Sequence, residues 1–160
     1  MITQELVKKI FEYQKGELFW KIQVSNKKIG DKAGQKQTLH YFQTRINGKY
    51  YYNHRIIFLY HHGYLPKCID HIDGNCLNNS IENLREASLY QNQQNRKIAK
   101  NNTSGIKGIY KIKNKEKWCV RLKVNGKQKF FGNYHDLEVA KFVIETMRYK
   151  YHHQFANNGL

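Results

Sequence analysis

Apolar positions near the start of the chain predict a short helix followed by strands. Thr3 is suited to cap a helix whose apolar residues, from Leu6 to Phe11, recur at helical spacing, and the run ELFWKIQ behind it is typical of a strand. Further on, Asn47-Gly48 separates two strand-like runs in YFQTRINGKYYYNHR, which is the strongest short-range signal for a β-hairpin. We therefore expect a small N-terminal support that carries a basic hairpin.

The pattern then changes to that of an apolar helix and returns to strands. HRIIFLYHHGYLP predicts a helix that ends at Gly63. KCIDHID has strand character, Asp73-Gly74 suits a turn, and Ser88 with Gln91 fits the S-x-x-Q box that caps a helix. This segment therefore predicts a strand, a turn, a second extended stretch and a helix, which together form a ββα unit.

A polar, basic stretch from Lys97 to Thr103 shows no apolar periodicity and predicts a domain boundary. We expect one domain over residues 1–100 and another over residues 101–160. The run GIKGIYKIKNKEKWCVRLKVNGKQKFFGNY predicts three short strands, with a hairpin turn at Asn125-Gly126. One apolar face of the last helix recurs at steps of three and four: Leu137, Ala140, Ile144, Met147 and Tyr151. Three strands and one helix suffice for a small α+β core.

The charge of the chain indicates a polyanionic partner. Its 28 Lys and Arg against 12 Asp and Glu give a net charge of +16 in 160 residues, and residues 1–100 and 101–160 share this excess equally. A merely solvated surface rarely needs such an imbalance, whereas it is typical of nucleic-acid-binding domains. The 12 tyrosines add surface for stacking and hydrogen bonding. Both halves are therefore expected to contact phosphates.

Cysteine usage predicts a reducing compartment. Cys68, Cys76 and Cys119 form no CxxC pair, and no apolar signal segment comes before the first helix. We expect free thiols, a cytoplasmic protein and no membrane association. A zinc site from Cys68, His71 and Cys76 is an alternative with little support, because the paired knuckles of structural zinc are missing.

The residues from Cys68 to Arg96 concentrate the candidate chemistry. Phosphodiester hydrolysis requires a base that activates water, a divalent cation and oxygen ligands for that cation. His71 can supply the base, Asp70 is a hard ligand for Mg²⁺ or Mn²⁺, and an Asn oxygen on the helix can complete the set. Asp73 is an alternative ligand, although an Asp before Gly more often forms a turn.

The interpretation of this stretch without catalysis is an Asn-rich loop that contains one histidine with its hydrogen bonds satisfied. The capped helix, its asparagines and the basic charge of the chain together favour the catalytic interpretation. The other histidines, His54 among them, have no carboxylate neighbour at useful spacing, apart from His135 beside Asp136. We expect them to be structural or to contact phosphate.

This stretch resembles the HNH nuclease motif, in the variant where Asn replaces the last His. Asp70-His71, Asn83 in IENL and Asn92 in SLYQNQQN match its positions, and HIDGNCLNNSIENL is close to the phage-type pattern. The resemblance implies a ββα-metal (His-Me finger) module with its core at residues 67–98. It also implies that His71 is the general base, that Asn83 orients it, and that Asp70 and Asn92 bind one Mg²⁺ or Mn²⁺ ion.

Only one of these implied ligands is charged, so we expect weak and unselective metal binding. Asn95 and Arg96 follow one turn after Asn92 on the same helix face and are second choices for the active site.

The region from Asn102 to Phe155 resembles the APETALA2-type DNA-binding domain in NNTSGIKGIY, KWCVRL and FFGNYHDLEVA. That resemblance implies a three-stranded sheet in the major groove with a helix behind it. Alternation along KWCVRLKV agrees, since its basic side chains fall on one face and its branched apolar side chains on the other. The positions that match groove-facing residues are Lys107, Tyr110, Arg121 and Lys123, and more loosely Lys127 and Lys129. In the first domain, Arg45, Lys49 and Arg55 are the expected DNA contacts.

These patterns together predict an α+β endonuclease for double-stranded DNA that depends on a divalent cation. The resemblance implies a phage or mobile-element homing type, working in the cytoplasm of a bacterial host. We expect a monomer without an obligatory protein partner. A catalytically silent, sequence-specific DNA-binding protein with the HNH unit as scaffold is the alternative. An RNA-binding module that uses the Tyr-rich hairpin is a third possibility.

Overall fold

Small antiparallel sheets and few helices make up the chain, in agreement with the predicted α+β class. The computed structural model describes residues 2–36, 41–95, 98 and 102–156. The chain divides into two units, Met1–Ala87 and Ser88–Leu160, which we call the N-terminal unit and the C-terminal unit. This division lies before the boundary expected near Lys100. Residues 96–97 and 99–101 are outside the described ranges, and that boundary stays a prediction.

The N-terminal unit is built from ten short elements and one 3-10 turn in its described part. In chain order these are α1 (Gln4–Ile10), β1 (Phe11–Gln14), β2 (Glu17–Trp20), β3 (Lys32–Ala33), β4 (Gln35–Lys36), β5 (Phe42–Ile46), β6 (Lys49–Tyr52), α2 (Asn53–His62), β7 (Cys68–His71), the turn Ile81–Asn83 and β8 (Leu84–Ala87). β1, β2 and β3 form one sheet, β4, β5 and β6 a second, and β7 and β8 pair with each other.

Local signals in the sequence set the ends of these elements. Thr3 Oγ1 accepts a hydrogen bond from Leu6 N at 3.3 Å and caps α1. Asn47 and Gly48 have φ values of 48° and 80°, which is the left-handed pair that a two-residue hairpin turn requires. α2 ends at Gly63, whose φ is 79°. The capped helix, the hairpin and the end of the apolar helix are confirmed.

One apolar cluster holds the N-terminal unit together. Val7, Phe11 and Leu18 are fully buried in it, and each such burial stabilises the fold by roughly 1.5–3 kcal/mol. Ile69 of β7 and Leu84 of β8 belong to the same cluster. The short β7–β8 pair therefore contributes side chains to the main core of the unit.

The C-terminal unit is a sheet covered by one long helix. Its elements are α3 (Leu89–Gln94), β9 (Ile109–Lys111), β10 (Trp118–Val124), β11 (Lys127–Tyr134), α4 (Leu137–His152) and the 3-10 turn His153–Phe155. The antiparallel order is β11-β10-β9. Ile109, Val120, Ala140 and Ile144 are fully buried, which confirms the predicted apolar face of α4. Within the described ranges, no helix has both the length and the apolar character needed to cross a bilayer.

Candidate active site

Strands β7 and β8 hold the acidic and basic groups of the predicted site. Asp70 lies opposite Arg85 in their antiparallel register. Arg85 donates from Nε and Nη2 to Asp70 Oδ2, at 2.8 and 2.7 Å. The Asp70 side chain is only 3% exposed and that of Arg85 is 17% exposed. The carboxylate is therefore buried and oriented by a guanidinium. The sequence analysis missed Arg85, because the signal for it is a cross-strand pairing of opposite charges that requires the register.

His71 is the last residue of β7 and is 5% exposed. Its Nε2 lies 3.1 Å from Asn79 Oδ1, and the backbone N–H of Ile72 donates to Asn83 O at 2.9 Å. An amide oxygen can only accept a hydrogen bond, so this contact assigns the proton to Nε2. In that tautomer Nδ1 is the basic nitrogen of the ring. The contact with Asn79 thus favours one tautomer of His71, a role that the sequence analysis did not assign to Asn79.

Asn83 organises the loop between β7 and β8 through its side chain. Nδ2 donates to Asp73 Oδ1 at 2.9 Å and to Asn78 O at 2.8 Å, and Oδ1 accepts from Asp73 N at 3.0 Å. The Asn83 side of these hydrogen bonds is 9% exposed, whereas Asp73 and Asn78 are exposed. The contacts place its amide on the loop that follows His71. Whether it orients the base, as the resemblance implies, stays a prediction.

Asp73 forms the turn after His71. Its Oδ1 accepts from Asn75 N at 2.7 Å and its Oδ2 from Asn78 Nδ2 at 2.7 Å. Burial acts to raise the pKa of Asp73, but the hydrogen bonds from Asn78, Asn75 and Asn83 outweigh it, and the net pKa is lowered. The turn-forming interpretation of Asp73 agrees with this geometry.

The β1–β2 hairpin contacts the loop between β7 and β8. The backbone N–H of Ile81 donates to Tyr13 Oη at 3.0 Å. Gly16 lies in the β1–β2 turn with φ of 86°, and a Cβ at this position would come within 2.8 Å of Ser80 N. Only glycine satisfies both the backbone conformation and the close approach. The N-terminal support predicted from the sequence therefore contacts the loop that positions the site.

Aromatic rings surround His71 on one side. The ring centroid of His54 is 5.2 Å from that of His71 in an edge-on arrangement, and Tyr41 lies 6.3 Å from His71. Tyr52 stacks on His54 at 5.5 Å. His54 is 8% exposed, and its Nδ1 has no hydrogen-bond partner among the described residues. Burial, followed by the charges of His71 and Arg55, lowers the pKa of His54 to about 3.

His54 therefore belongs to the surroundings of His71, although the sequence analysis expected only a structural or phosphate-contacting residue. Its position in the first turn of α2 gave no signal for this proximity, which depends on how α2 packs near β7.

Two thiols act on Tyr41 in the same region. Cys76 Sγ donates to Tyr41 Oη at 3.4 Å, and this hydrogen bond, together with burial, raises the pKa of Tyr41 to about 12. Cys68 also acts electrostatically on Tyr41. In the part of the chain that the structure describes, no three Cys, His, Asp or Glu side chains come together as metal ligands.

The donors in the N-terminal unit fit a hard divalent cation. Asp70 offers an oriented carboxylate, and hydrated Mg²⁺ is commonly bound by one or two carboxylates together with waters and substrate phosphates. Weak binding of Mg²⁺ or Mn²⁺ through this carboxylate stays a prediction.

Helix α3 carries the other predicted active-site residues and groups with the C-terminal unit. Ser88 Oγ accepts from Gln91 N at 3.1 Å and Gln91 Oε1 from Ser88 N at 2.8 Å, which confirms the capping box. Asn92 is half-buried in the helix, and Asn95 is its buried C-cap residue. Arg96 lies outside the described residues.

The C-terminal sheet presents part of the predicted DNA-contacting set on its open face. Tyr110, Arg121 and Lys123 are exposed there, and Phe130, opposite Arg121, is 58% exposed. Residues that face each other across an antiparallel pair share one side of the sheet. Alternation of burial along β10 therefore confirms the basic and apolar faces, except that Cys119 is buried.

Three lysines of the predicted set are not among the exposed residues on the open face of the sheet. Lys127 and Lys129 pair with the buried Val124 and Leu122, on the side that α4 covers, and Lys129 Nζ lies 4.8 Å from the Tyr151 ring centroid. Lys107 Nζ donates to Gln94 O. Lys127 and Lys129 follow the Asn125-Gly126 turn, and this two-residue hairpin turn sets the register that pairs them with Val124 and Leu122.

The predicted contacts in the first domain lie on the hairpin and α2. Arg45 and Lys49 are exposed on the β5–β6 hairpin, where the Arg45 guanidinium lies 5.8 Å from the Tyr50 ring centroid. Arg55 is half-buried and donates from Nη2 to Pro66 O at 3.1 Å. The hairpin residues are accessible to a polyanion, and Arg55 is engaged in holding the end of the helix–strand connection.

Comparison with known proteins gives two matches. The HNH endonuclease family model matches residues 51–94, which span α2, β7, the asparagine-rich loop, β8 and α3. Protein 3.8 of Escherichia phage T7 is 44% identical over 96 residues, which cover 59% of this chain and 78% of the phage protein. No solved structure matches significantly.

Proposed function

This chain belongs to the family of phage T7 protein 3.8 and contains an HNH endonuclease domain, and from this premise we propose that it is a divalent-metal-dependent endonuclease of double-stranded DNA. The observation that carries the proposal is the adjacent, buried pair of Asp70 and His71, set between Arg85 and Asn79. The net charge of +16 supports a DNA substrate.

His71 acts as the general base in this proposal. The hydrogen bond between Nε2 and Asn79 favours the tautomer in which Nδ1 can take a proton from the attacking water. The ring is positioned by its place at the end of β7 and by His54 and Tyr41. Asn83 holds the following loop and so keeps the backbone next to His71 in place.

Asp70 and Asn92 are the proposed metal ligands, with Asn95 and Arg96 as second choices. A bound Mg²⁺ or Mn²⁺ ion would offset the negative charge that develops on the scissile phosphate. Burial and the Arg85 contact hold the Asp70 carboxylate in one orientation. The assignment of Asn92 rests on its position in the HNH motif.

The C-terminal sheet is proposed as an APETALA2-like module that reads DNA through Tyr110, Arg121 and Lys123. Support comes from the open basic face and from the covering helix on the opposite side. Phosphate contacts position such a protein and base contacts select its site. We further propose that the chain acts as a monomer in the cytoplasm of a bacterial host, as a phage or mobile-element homing-type enzyme.

One observation favours a second candidate, a catalytically silent DNA-binding protein. Arg85 places two donors on Asp70 Oδ2, so a guanidinium already satisfies one oxygen of the carboxylate. In a silent protein this ion pair would take the place of a cation and hold the HNH unit as a scaffold.

Conversion of supercoiled plasmid to nicked or linear DNA tests the proposal. Wild-type protein should cut in Mg²⁺ and not in EDTA, and His71→Ala should not cut. The variant Lys141→Gln, at a half-exposed position of α4, serves as the control for a substitution outside the proposed catalytic residues. Binding of DNA without any cutting in Mg²⁺ or Mn²⁺ would identify the silent protein instead.

A further inference from the structure

A hollow lies on the open face of the C-terminal sheet, on the side that α4 does not cover. Its volume is about 440 Å³, within the roughly 300–1,000 Å³ that is typical of small-ligand sites. Its lining consists of Tyr110, Ile112, Cys119, Arg121, Phe130 and Asn133. Among these described residues Arg121 carries a positive charge and none is Asp or Glu. The hollow therefore combines a largely apolar wall with one cation.

A β-bulge in β11 shapes this hollow. Cys119 pairs with Asn133 and Arg121 pairs with Phe130, so β11 has one residue more than β10 between the two pairs. Within this stretch Gly132 has a φ of 116°, a conformation that glycine adopts far more readily than other residues. A bulge bends its strand and changes the direction of nearby side chains. Phe130 and Asn133 therefore share the open face, although a regular strand would place them on opposite faces.

Two exposed aromatic rings lie on either side of the cation. Tyr110 of β9 is 51% exposed and Phe130 of β11 is 58% exposed, and both strands flank β10. Tyr110 pairs with Cys119, which puts it on the same face as Arg121. Arg121 is exposed and forms no ion pair with any residue that the structure describes. A free cation between two exposed rings is suited to a partner with a flat π-face and a negative charge, which is the chemistry of a nucleotide.

The rings fit a base that has left its stack better than they fit a paired duplex. In a duplex the faces of the bases cover one another, and the grooves present base edges, thymine methyl groups and phosphates. Aromatic side chains bind unpaired bases face to face instead. Lys123, which is exposed on the same face two residues after Arg121, can contact the phosphate beside such a base.

We propose that this hollow binds one unpaired base of DNA. The base stacks on Phe130 and Tyr110 at the sides of the hollow, Arg121 donates to its edge, and Lys123 contacts the adjacent phosphate. The inference deepens the proposed function and rests on it for the choice of DNA, because the same face is proposed there to read DNA. Two sources present such a base: a single strand, and a duplex in which one base has no partner.

The test measures the Kd of three labelled DNA probes by fluorescence anisotropy, with the full-length protein in EDTA. The probes are a single strand, its fully paired duplex, and the same duplex with one extra, unpaired base at its centre. Phe130→Ala should weaken the binding of a probe with an unpaired base roughly 5- to 150-fold, as the loss of one stacking contact does, while the Kd of the paired duplex changes little. Circular dichroism checks folding, and Tyr110→Ala is a second variant with the same expected direction.

Phe142→Ala is the matched control, since Phe142 is 71% exposed on α4 and is absent from the wall of the hollow. A loss confined to the single strand identifies single-stranded DNA as the source, and a loss for the duplex with the extra base identifies a base displaced from a duplex. The proposal is overturned if Phe130→Ala weakens all three probes equally, weakens none of them, or weakens them no more than Phe142→Ala does. Cutting is not part of this measurement, so the base site and the nuclease can fail independently.

Discussion

In the variant Arg85→Met, the thermal stability of the N-terminal unit should depend on metal binding at Asp70. The substitution keeps an apolar stem of similar length but removes both donors that contact Asp70 Oδ2, at 2.8 and 2.7 Å. The carboxylate, 3% exposed, then loses the guanidinium that compensates its burial. If Asp70 is a metal ligand, a divalent cation can supply the missing positive charge.

The size of the effect follows from the burial of the pair. Breaking a buried ion pair by removing one partner costs about 3–5 kcal/mol, and the lower end applies here because Arg85 retains 17% exposure. A loss of about 3 kcal/mol corresponds to a decrease in Tm of roughly 12–24 °C for a unit of this size. A cation at 100 times its Kd would restore about 2.7 kcal/mol.

Thermal unfolding with increasing Mg²⁺ measures both parts of the prediction. Wild type should show a small Mg²⁺ shift, Arg85→Met a large one, and Asp70→Asn none. Lys32→Gln breaks the half-exposed Lys32–Glu17 pair and should cost less than about 1 kcal/mol, as surface pairs do. The reasoning is refuted if Arg85→Met unfolds like wild type, or if Mg²⁺ raises the Tm of Asp70→Asn as much as that of Arg85→Met.

Three further results are expected. Asp70→Ala and Asn92→Ala should raise the Mg²⁺ concentration needed for half-maximal cutting, Asp70→Ala more strongly because it removes a charge; unchanged metal requirements would contradict the ligand assignment. The pKa of His54, lowered to about 3, predicts that its contribution to stability is present above pH 6.5 and is lost as the pH falls, by up to about 1.4 kcal/mol per pH unit. In denaturant unfolding, the free energy of unfolding of His54→Phe should therefore fall less on acidification than that of wild type. Equal dependence of this free energy on pH in the two proteins would exclude a buried neutral His54. For roughly 6 to 10 phosphate contacts, DNA affinity should fall about 10³- to 10⁵-fold between 50 and 200 mM salt, and a flat response in a binding assay would contradict the basic footprint.

Local signals allowed much of the fold to be predicted from the sequence. The Thr3 cap, the Asn47-Gly48 turn and the Ser88 capping box all involve residues within a few positions of one another, and all are confirmed. The apolar face of α4 was equally predictable, because helical periodicity alone determines it.

The surroundings of His71 could not be predicted in this way. Arg85 reaches Asp70 through a cross-strand register, and His54 reaches His71 through packing of α2, so both contacts join residues distant in sequence. Asn79 stood in a run of polar residues in which the sequence does not distinguish one amide from the next. The side of the sheet on which Lys127 and Lys129 lie, by contrast, follows from the Asn125-Gly126 turn, because a two-residue hairpin turn sets the register of β10 and β11.

The most direct test of the account measures chemistry and binding separately for one substitution. Duplex DNA is bound to excess wild-type or His71→Ala protein in EDTA, its Kd is recorded, and a single turnover is started with excess Mg²⁺. Loss of a general base should slow hydrolysis by about 10²- to 10⁴-fold while the Kd changes little, since the base acts in the chemical step. A His71→Ala protein that cuts bound DNA at the wild-type rate would contradict the central claim that His71 activates the attacking water.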